Sequence, residues 1–524
     1  MTGSVRRHEA LGRLAEAGLL TPAAVADAAR TLAETGLNLA ALARFAAHRF
    51  GDATALIDPE VALTFTQLAD GADRLADRLR REHGLRRGTR VGVLCRNGAA
   101  FVLATLAASR LACRVMLLNP DMGAAQLRTL VEGREIGVVL CQADTVALLE
   151  GTATVAIAVG TRSEAAEANP PAAPRANGGE LVILTGGTTG PPKAAARKPA
   201  PGNFLLLFAH LVSALGLDRH ERCWIAVPMC HGYGVAAFLV ALALGRTVYL
   251  TPRFDAAAGA ALIAREHVQV LAVVPLMLQR LLHLPGADLS AVRCVITGGA
   301  ALPPTLAEEA RARLGDDVLF NLYGTSEAGV SLMATPQDLV ERPDTVGRPL
   351  WGVGVEIQGG DETPVAPGEI GRLVIRSPAA MAGKRFVDTG DLASRAPDGR
   401  LTLHGRADDM ISSGGEKVHP WEVETAILRH PEVREAACVG VPDPVWGQRL
   451  LAFVTPAPGA RVTPESLSEW LEGRVARYQR PRALEFRDAL PVTPVGKLDR
   501  RALLRSLPPE VSGLEAPVER RAQT

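Results

Sequence analysis

Residues 181–200 read "LVILTGGTTGPPKAAARKPA": a short apolar run, then three glycines, three threonines, two prolines and Lys193. Glycines let backbone N–H groups face an anion, and threonine hydroxyls add donors, so Thr185, Gly186, Gly187, Thr188, Thr189, Gly190 and Lys193 have the makings of a phosphate cradle. It is not the ordinary Walker loop. That motif needs a glycine just before the lysine and a hydroxyl residue just after it, and here Pro192 and Ala194 hold those places. Four more stretches carry chemistry-bearing residues. "NLYGTSEAG" (321–329) ends an expected strand on Tyr323, Gly324, Ser326 and Glu327. "VDTGDL" (387–392) reads as a turn bearing Asp391. "GRADDMISSGGEKVHPWEVE" (405–424) mixes charge and glycine. "LPVTPVGKLDRRAL" (490–503) leaves Lys497 alone on a loop flanked by Pro and Gly.

The elements that must position these stretches are legible in outline. A chain of 524 residues suggests about three domains. Between about 54 and 340, short apolar runs alternate with helical patterns: 90–95, 113–119, 136–141, 181–187, 223–228, 246–252, 270–275, 292–299 and 318–324. That alternation predicts an α/β fold with mostly parallel sheets covered on both faces. Residues 345–404 change character, with short strands around turn signals such as Pro397-Asp398-Gly399, and predict a small β-rich part. Residues 410–509 alternate again, with helices expected near 421–429 and 464–478, as a compact α+β domain. Residues 1–45 form an Ala/Leu-rich helical extension, 163–180 a Pro/Ala/Gly surface linker, and 510–524 a polar tail.

Composition narrows the partners. Lys plus Arg number 57 against 56 Asp plus Glu, a net charge of +1, which gives no reason to expect nucleic acid or an anionic membrane. The seven cysteines are scattered singly, as in a reduced cytoplasmic protein. No run of about 18 apolar residues offers a spanning helix, and the N-terminus lacks the apolar core of a signal peptide.

Taken in order and at these distances, the five motifs resemble the adenylate-forming superfamily, which includes acyl- and aryl-CoA synthetases, peptide-synthetase adenylation domains and luciferase. The resemblance spans roughly residues 50–505. It implies a body at 46–404, a mobile C-terminal lid at 410–509 and a hinge at 405–409 centred on Asp408. It also implies two steps: a carboxylate attacks the α-phosphate of ATP, releasing pyrophosphate, and a thiol then displaces AMP. By motif, the loop from Thr185 to Lys193 would cover the β- and γ-phosphates. Glu327 would hold Mg2+, a hard cation that takes oxygen ligands. Tyr323 and Gly324 would border the adenine, and Ser326 would lie near the α-phosphate. Asp391 would accept the ribose hydroxyls, with Arg406 alongside. Lys497 would bridge the carboxylate and the α-phosphate, and Gly414 and Gly415 would admit a pantetheine arm after the lid swings.

His231 in "PMCHGYGV" and Gly298, Gly299 and Ala300 in "VITGGAALP" would border the acyl group. No acidic residue is placed to hold an amino group, so the expected substrate is a plain carboxylic acid, closest to the fatty acyl-CoA ligases. The acceptor is CoA or the phosphopantetheine of an acyl carrier protein; Arg477, Arg480, Arg482 and Arg487 are the cations near enough to meet a CoA phosphate. A homodimer is left open. Three departures stand out: Gly186 where relatives carry Ser or Thr, Ala194 after the loop lysine, and only Lys384, Arg385 and Phe386 between "SPAAMAG" and "VDTGDL". None removes a charged catalytic residue, which argues against a non-catalytic adenylate-binding relative.

Overall fold

A computed structural model describes residues 11–161, 174–185, 193–197, 201–380, 386–413, 416–443, 447–493, 498–508 and 511. Its largest sheet has 13 strands. One half is parallel: Leu319–Thr325, Cys294–Gly298, Val270–Val273, Arg222–Ile225, Thr247–Leu250 and Thr54–Ile57 lie side by side in that order, and Ala62–Thr64 closes the edge antiparallel. The other half is antiparallel and contains the β-rich residues. Gly329–Ala334 and Thr345–Pro349 lead into Leu401–Arg406, Val387–Arg395, Gly371–Arg376 and Gly354–Gln358. The β-rich part is thus continuous with the large sheet, and Thr345–Pro349 is the seam. Its turn signals are visible in the sequence, but the pairing across that seam is not.

A second sheet of six strands runs Val155–Ala158, Val138–Cys141, Arg90–Leu94, Arg114–Leu117, Glu180–Thr185 and Lys193–Arg197, parallel except for the last pair. Helix Ala99–Arg110 is buried at every residue and belongs to the core that joins the two sheets. A helix that is buried all round is stable only as such an inner layer, and its one charged residue, Arg110, is paired with Asp73. Each large side chain it buries, Phe101 for one, stabilises the fold by about 1.5–3 kcal/mol.

The N-terminal helices Pro22–Thr35 and Ala40–Phe50 pack on this body. The first begins at Thr21, whose hydroxyl accepts from the Ala24 N–H, with Pro22 in the first turn where its missing N–H costs nothing. Arg44 pairs with Asp70 and Asp73 at 2.8 and 2.7 Å, and Asp73 also accepts from buried Arg110 at 2.8 Å. Breaking such a network by removing Asp73 would cost about 3–5 kcal/mol. Arg110 donates to the carbonyls of Thr35 and Pro174, and Asn38 donates to that of Ala176. The end of the expected surface linker is therefore held in place by the N-terminal helices, through contacts no local signal announces.

The last domain carries a five-stranded sheet, Glu416–Val418, Ile411–Ser413, Gly447–Pro456, Val433–Asp443 and Ala483–Phe486, with helices Pro420–Leu428 and Pro464–Leu471. The second helix stops well short of 478. Glu472 leaves helical geometry and Gly473 takes φ +72°, so the chain turns away. No described helix is long and apolar enough to cross a membrane.

Candidate active site

Three strands bring Tyr323, Asp391 and Arg406 together. Asp391 lies opposite Arg406 in the ladder between Val387–Arg395 and Leu401–Arg406. The Tyr323 hydroxyl donates to Asp391 Oδ2 at 2.5 Å, and Arg406 Nη1 donates to Asp391 Oδ1 at 3.3 Å. Asp391 is not in the expected turn. It sits inside a strand, at an irregular step of the register, and the preceding Gly390 takes φ +74°, where a Cβ would come within 2.7 Å of Arg406 Nη2. "DTGDL" imitates a turn because Asp and Gly favour the dihedrals of this bulge as well. Thr389, unremarked in the sequence reading, fixes the carboxylate's backbone: its hydroxyl accepts from the Asp391 N–H at 3.1 Å and donates to the Leu373 carbonyl at 2.8 Å.

The electrostatics keep these groups in single charge states. Burial, and next the charge of Asp391, push the Tyr323 hydroxyl well above its usual range, so it remains a donor. Burial opposes the charge of Arg406, but the carboxylates of Asp408 and Asp391 outweigh it and raise its pKa. Beyond Gly324, the Thr325 hydroxyl accepts from the Ala328 N–H at 3.0 Å and shapes the turn that carries half-buried Ser326 and Glu327. Ser326, Glu327, Gly298, Gly299 and Ala300 all line one cleft with Tyr323 and Asp391. It opens at the C-terminal ends of the parallel strands, where open α/β sheets place their ligands.

Across the cleft the wall is apolar. Helices Pro201–Leu215 and Gly232–Ala243 present Phe208, Leu211, Tyr233 and Val240, half-buried against the same core as Tyr323 and Val330. The Tyr233 hydroxyl is occupied by the Ile296 carbonyl at 2.7 Å. His231 stands at the N-terminus of helix Gly232–Ala243 and lines the cleft. Its approach is fixed from the second sheet by Asn97, which donates to the Val227 carbonyl at 2.9 Å and accepts from the Met229 N–H at 2.7 Å. A lone Asn just after the buried run 90–95 was the available signal for that residue. The whole cleft holds about 3210 Å³, far more than one ligand needs, because it continues along the last domain and along the N-terminal helices.

The AMP-binding enzyme family matches residues 43–383, and its C-terminal domain matches residues 422–497. The chain belongs to the AMP-binding enzymes. A feruloyl-CoA synthase of Amycolatopsis sp. is 32% identical over 85% of this chain and 94% of its own length. A 2-succinylbenzoate–CoA ligase of Bacillus licheniformis is 33% identical over 86% of this chain and 96% of its own. The o-succinylbenzoate coenzyme A synthetase of Bacillus subtilis, solved in complex with ATP and a magnesium ion, is 26% identical, covers 88% of this chain and 98% of its own, and superposes with a TM-score of 0.77. With the family shown, the chain falls among the AMP-forming acid–thiol ligases that make acyl- and aryl-CoA thioesters.

In this AMP-binding enzyme the glycine-rich residues Gly186–Gly190 lie outside the described residues. The strands on either side of them form an antiparallel pair with Thr185 opposite Lys193. Gly414, Gly415 and Lys497 also lie outside the described residues. Val492 and Leu498, which bracket Lys497, bridge each other and line the same cleft as Tyr323 and Asp391. Asp408 sits in the short turn Ala407–Asp409 and accepts from Arg406 Nε at 2.8 Å, so one guanidinium serves both Asp391 and Asp408. Arg480 is engaged by Glu472 at 2.6 Å and Arg487 by Glu485 at 2.5 Å, which leaves less free charge there than the sequence suggests. No trio of His, Cys, Asp or Glu able to hold a metal occurs among the described residues. A single carboxylate such as that of Glu327 would suit Mg2+, which is bound through one or two carboxylates together with substrate phosphates and water.

Proposed function

We propose that this chain activates a carboxylic acid with an apolar, uncharged body, aromatic before fatty, and transfers it to the thiol of CoA. The observation that carries this reading is the Tyr323–Asp391–Arg406 cluster facing an apolar wall across one cleft. In the first step a carboxylate oxygen of the acid bonds to the α-phosphorus of ATP and pyrophosphate leaves. In the second the sulfur of CoA bonds to the acyl carbon and AMP leaves. Asp391 is acceptor-only when ionised and orients the ribose through its hydroxyls. Tyr323 and Gly324 border the base, and Ser326 lies beside the α-phosphate. Glu327 would hold Mg2+, which would supply charge neutralisation along the phosphates. Thr185, Thr188, Thr189 and Lys193, with the glycines between them, enclose the outgoing pyrophosphate. Lys497 brings a point charge between the two reacting anions, the largest electrostatic demand of the step. His231 with Gly298, Gly299 and Ala300 lines the carboxylate end of the acid. Asp408 is the pivot about which the lid exchanges Lys497 for the path at Gly414 and Gly415.

The acid's character follows from the wall. Among the described residues of helices Pro201–Leu215 and Gly232–Ala243, no lysine or arginine lines the cleft. A second anionic group on the substrate would be desolvated there without a partner. The expectation of a fatty acid yields to an aromatic one because a feruloyl-CoA synthase and an indoleacetate–CoA ligase, each named for an aromatic acid with a single carboxylate, are among the relatives. A pyrophosphate-exchange panel tests this: ferulate, benzoate, indoleacetate, octanoate and malonate, then CoA against a phosphopantetheinylated carrier protein. Exchange with the aromatic acids ahead of octanoate, none with malonate, and turnover with CoA are expected. Exchange with malonate alone, or turnover with the carrier protein alone, overturns the reading.

A further inference from the structure

His404 and Trp421 face each other across the hinge. His404 is on the last strand of the body, Leu401–Arg406, and Trp421 is the second residue of the lid helix Pro420–Leu428. Their ring centroids lie 4.7 Å apart at a 54° tilt. His404 Nε2 is anchored by the Ser394 hydroxyl at 2.7 Å, so the ring is fixed to the sheet that carries Asp391. Between the two rings the chain passes through Gly405, at φ +80°, where a Cβ would sit 2.9 Å from Trp421 Cδ1. Trp421 therefore rests on backbone as well as on His404. Pro420 and Trp421 line the same cleft as Tyr323, Asp391 and the bracket of Lys497, Val492 and Leu498.

We infer that Trp421, seated on His404 and Gly405, is a positioning residue that holds the lid in the orientation for acyl adenylate formation and is released for thioester formation. The inference rests on the two-step reading above. The seat is made by ring packing and shape and needs no charge pair, so it can form and break with each turnover.

The test separates the half-reactions in the full-length protein. Trp421→Ala should slow acid-dependent pyrophosphate exchange about tenfold, the scale of one lost aromatic pair and its burial. Conversion of supplied feruloyl adenylate and CoA should stay within about threefold of wild type, since that step no longer uses the seat. Trp421→Phe should restore most of the exchange. A readout that needs no substrate is trypsin cleavage after Arg406, inside the hinge, which should be about tenfold faster in Trp421→Ala than in Trp421→Phe. Equal slowing of both half-reactions, or wild-type cleavage in Trp421→Ala, overturns the inference. Should Trp421→Ala fail to fold, His404→Ala removes the same seat from the body side and carries the same expectations. If the wild-type protein shows no exchange with any acid, the two-step reading fails instead, and the cleavage rates still decide whether the seat holds the lid.

Discussion

The two sides of the cleft are built by different physics. On the nucleotide side, Tyr323, Asp391 and Arg406 hold one another by hydrogen bonds across three strands of one sheet, and each has a defined donor or acceptor role. On the acyl side, Phe208, Leu211, Tyr233 and Val240 contribute shape, and the one hydroxyl among them is already satisfied by backbone. The difference teaches where variation is tolerated. A hydrogen-bonded carboxylate fails outright when altered, because a buried partner is left unpaired. A packed wall can be recut by a methyl group at a time, each change worth only a few kcal/mol. On the proposed function, the first side would fix ATP and the second would be free to choose the acid.

The widest break in that comparison is expected from a residue belonging to neither side. Lys497→Ala should lower acid-dependent pyrophosphate release about a thousandfold, the scale of a lost charge at the developing transition state. Thiolysis of supplied feruloyl adenylate should stay within about threefold, because on the proposed two-step scheme the lysine has left before that step. Rapid-quench measurement of the two half-reactions decides it, and parallel loss of both removes the lysine from its assigned role.

A middle-sized effect sharpens the contrast between the sides. Asp391→Ala should cut kcat/KM for ATP about a hundredfold, near 3 kcal/mol, with the order of preferred acids unchanged. Ala236→Phe, on the cleft-facing side of helix Gly232–Ala243, should do the reverse: the KM for ATP holds, while ferulate falls about tenfold against the smaller benzoate. Steady-state kinetics with both acids would expose the division. An Asp391 variant that reorders the acids would abolish it.

The same contrast explains what could be read in the chain beforehand. Tyr323, Asp391 and Arg406 stood out as polar residues in short motifs, but that they meet at one place depends on three strands far apart in the chain. The apolar runs were legible as strands because parallel strands buried on both faces, such as Val270–Val273, are continuous in Val, Leu and Ala. Lys193–Arg197 was not, since "KAAAR" has no β-branched residue and becomes a strand only through pairing with Glu180–Thr185. Asp391's place inside a strand was hidden by the turn-like "TGD". Asn97 and the seat of Trp421 on His404 depend on contacts between distant segments, for which spacing along the chain holds no information.

The smallest expected effect probes that seat from its body side, through pH. Burial is the main influence on His404 and lowers its pKa; His419 lowers it further, and Asp344 works in the opposite direction. The Ser394 hydroxyl and Trp421 complete its surroundings without charge. With the lid on its seat the neutral imidazole is favoured, whereas a lid swung away leaves a ring closer to the ordinary value of about 6.5. The swung form thus binds the proton more readily, and the seated form is fully favoured only above that value. As pH falls from 7.5 to 5.5, exchange should decline relative to thiolysis by about threefold. His404→Phe keeps a ring against Trp421 but cannot titrate, so its ratio should stay level over the same range. A wild-type slope that survived the substitution would leave His404 a purely steric part of the seat.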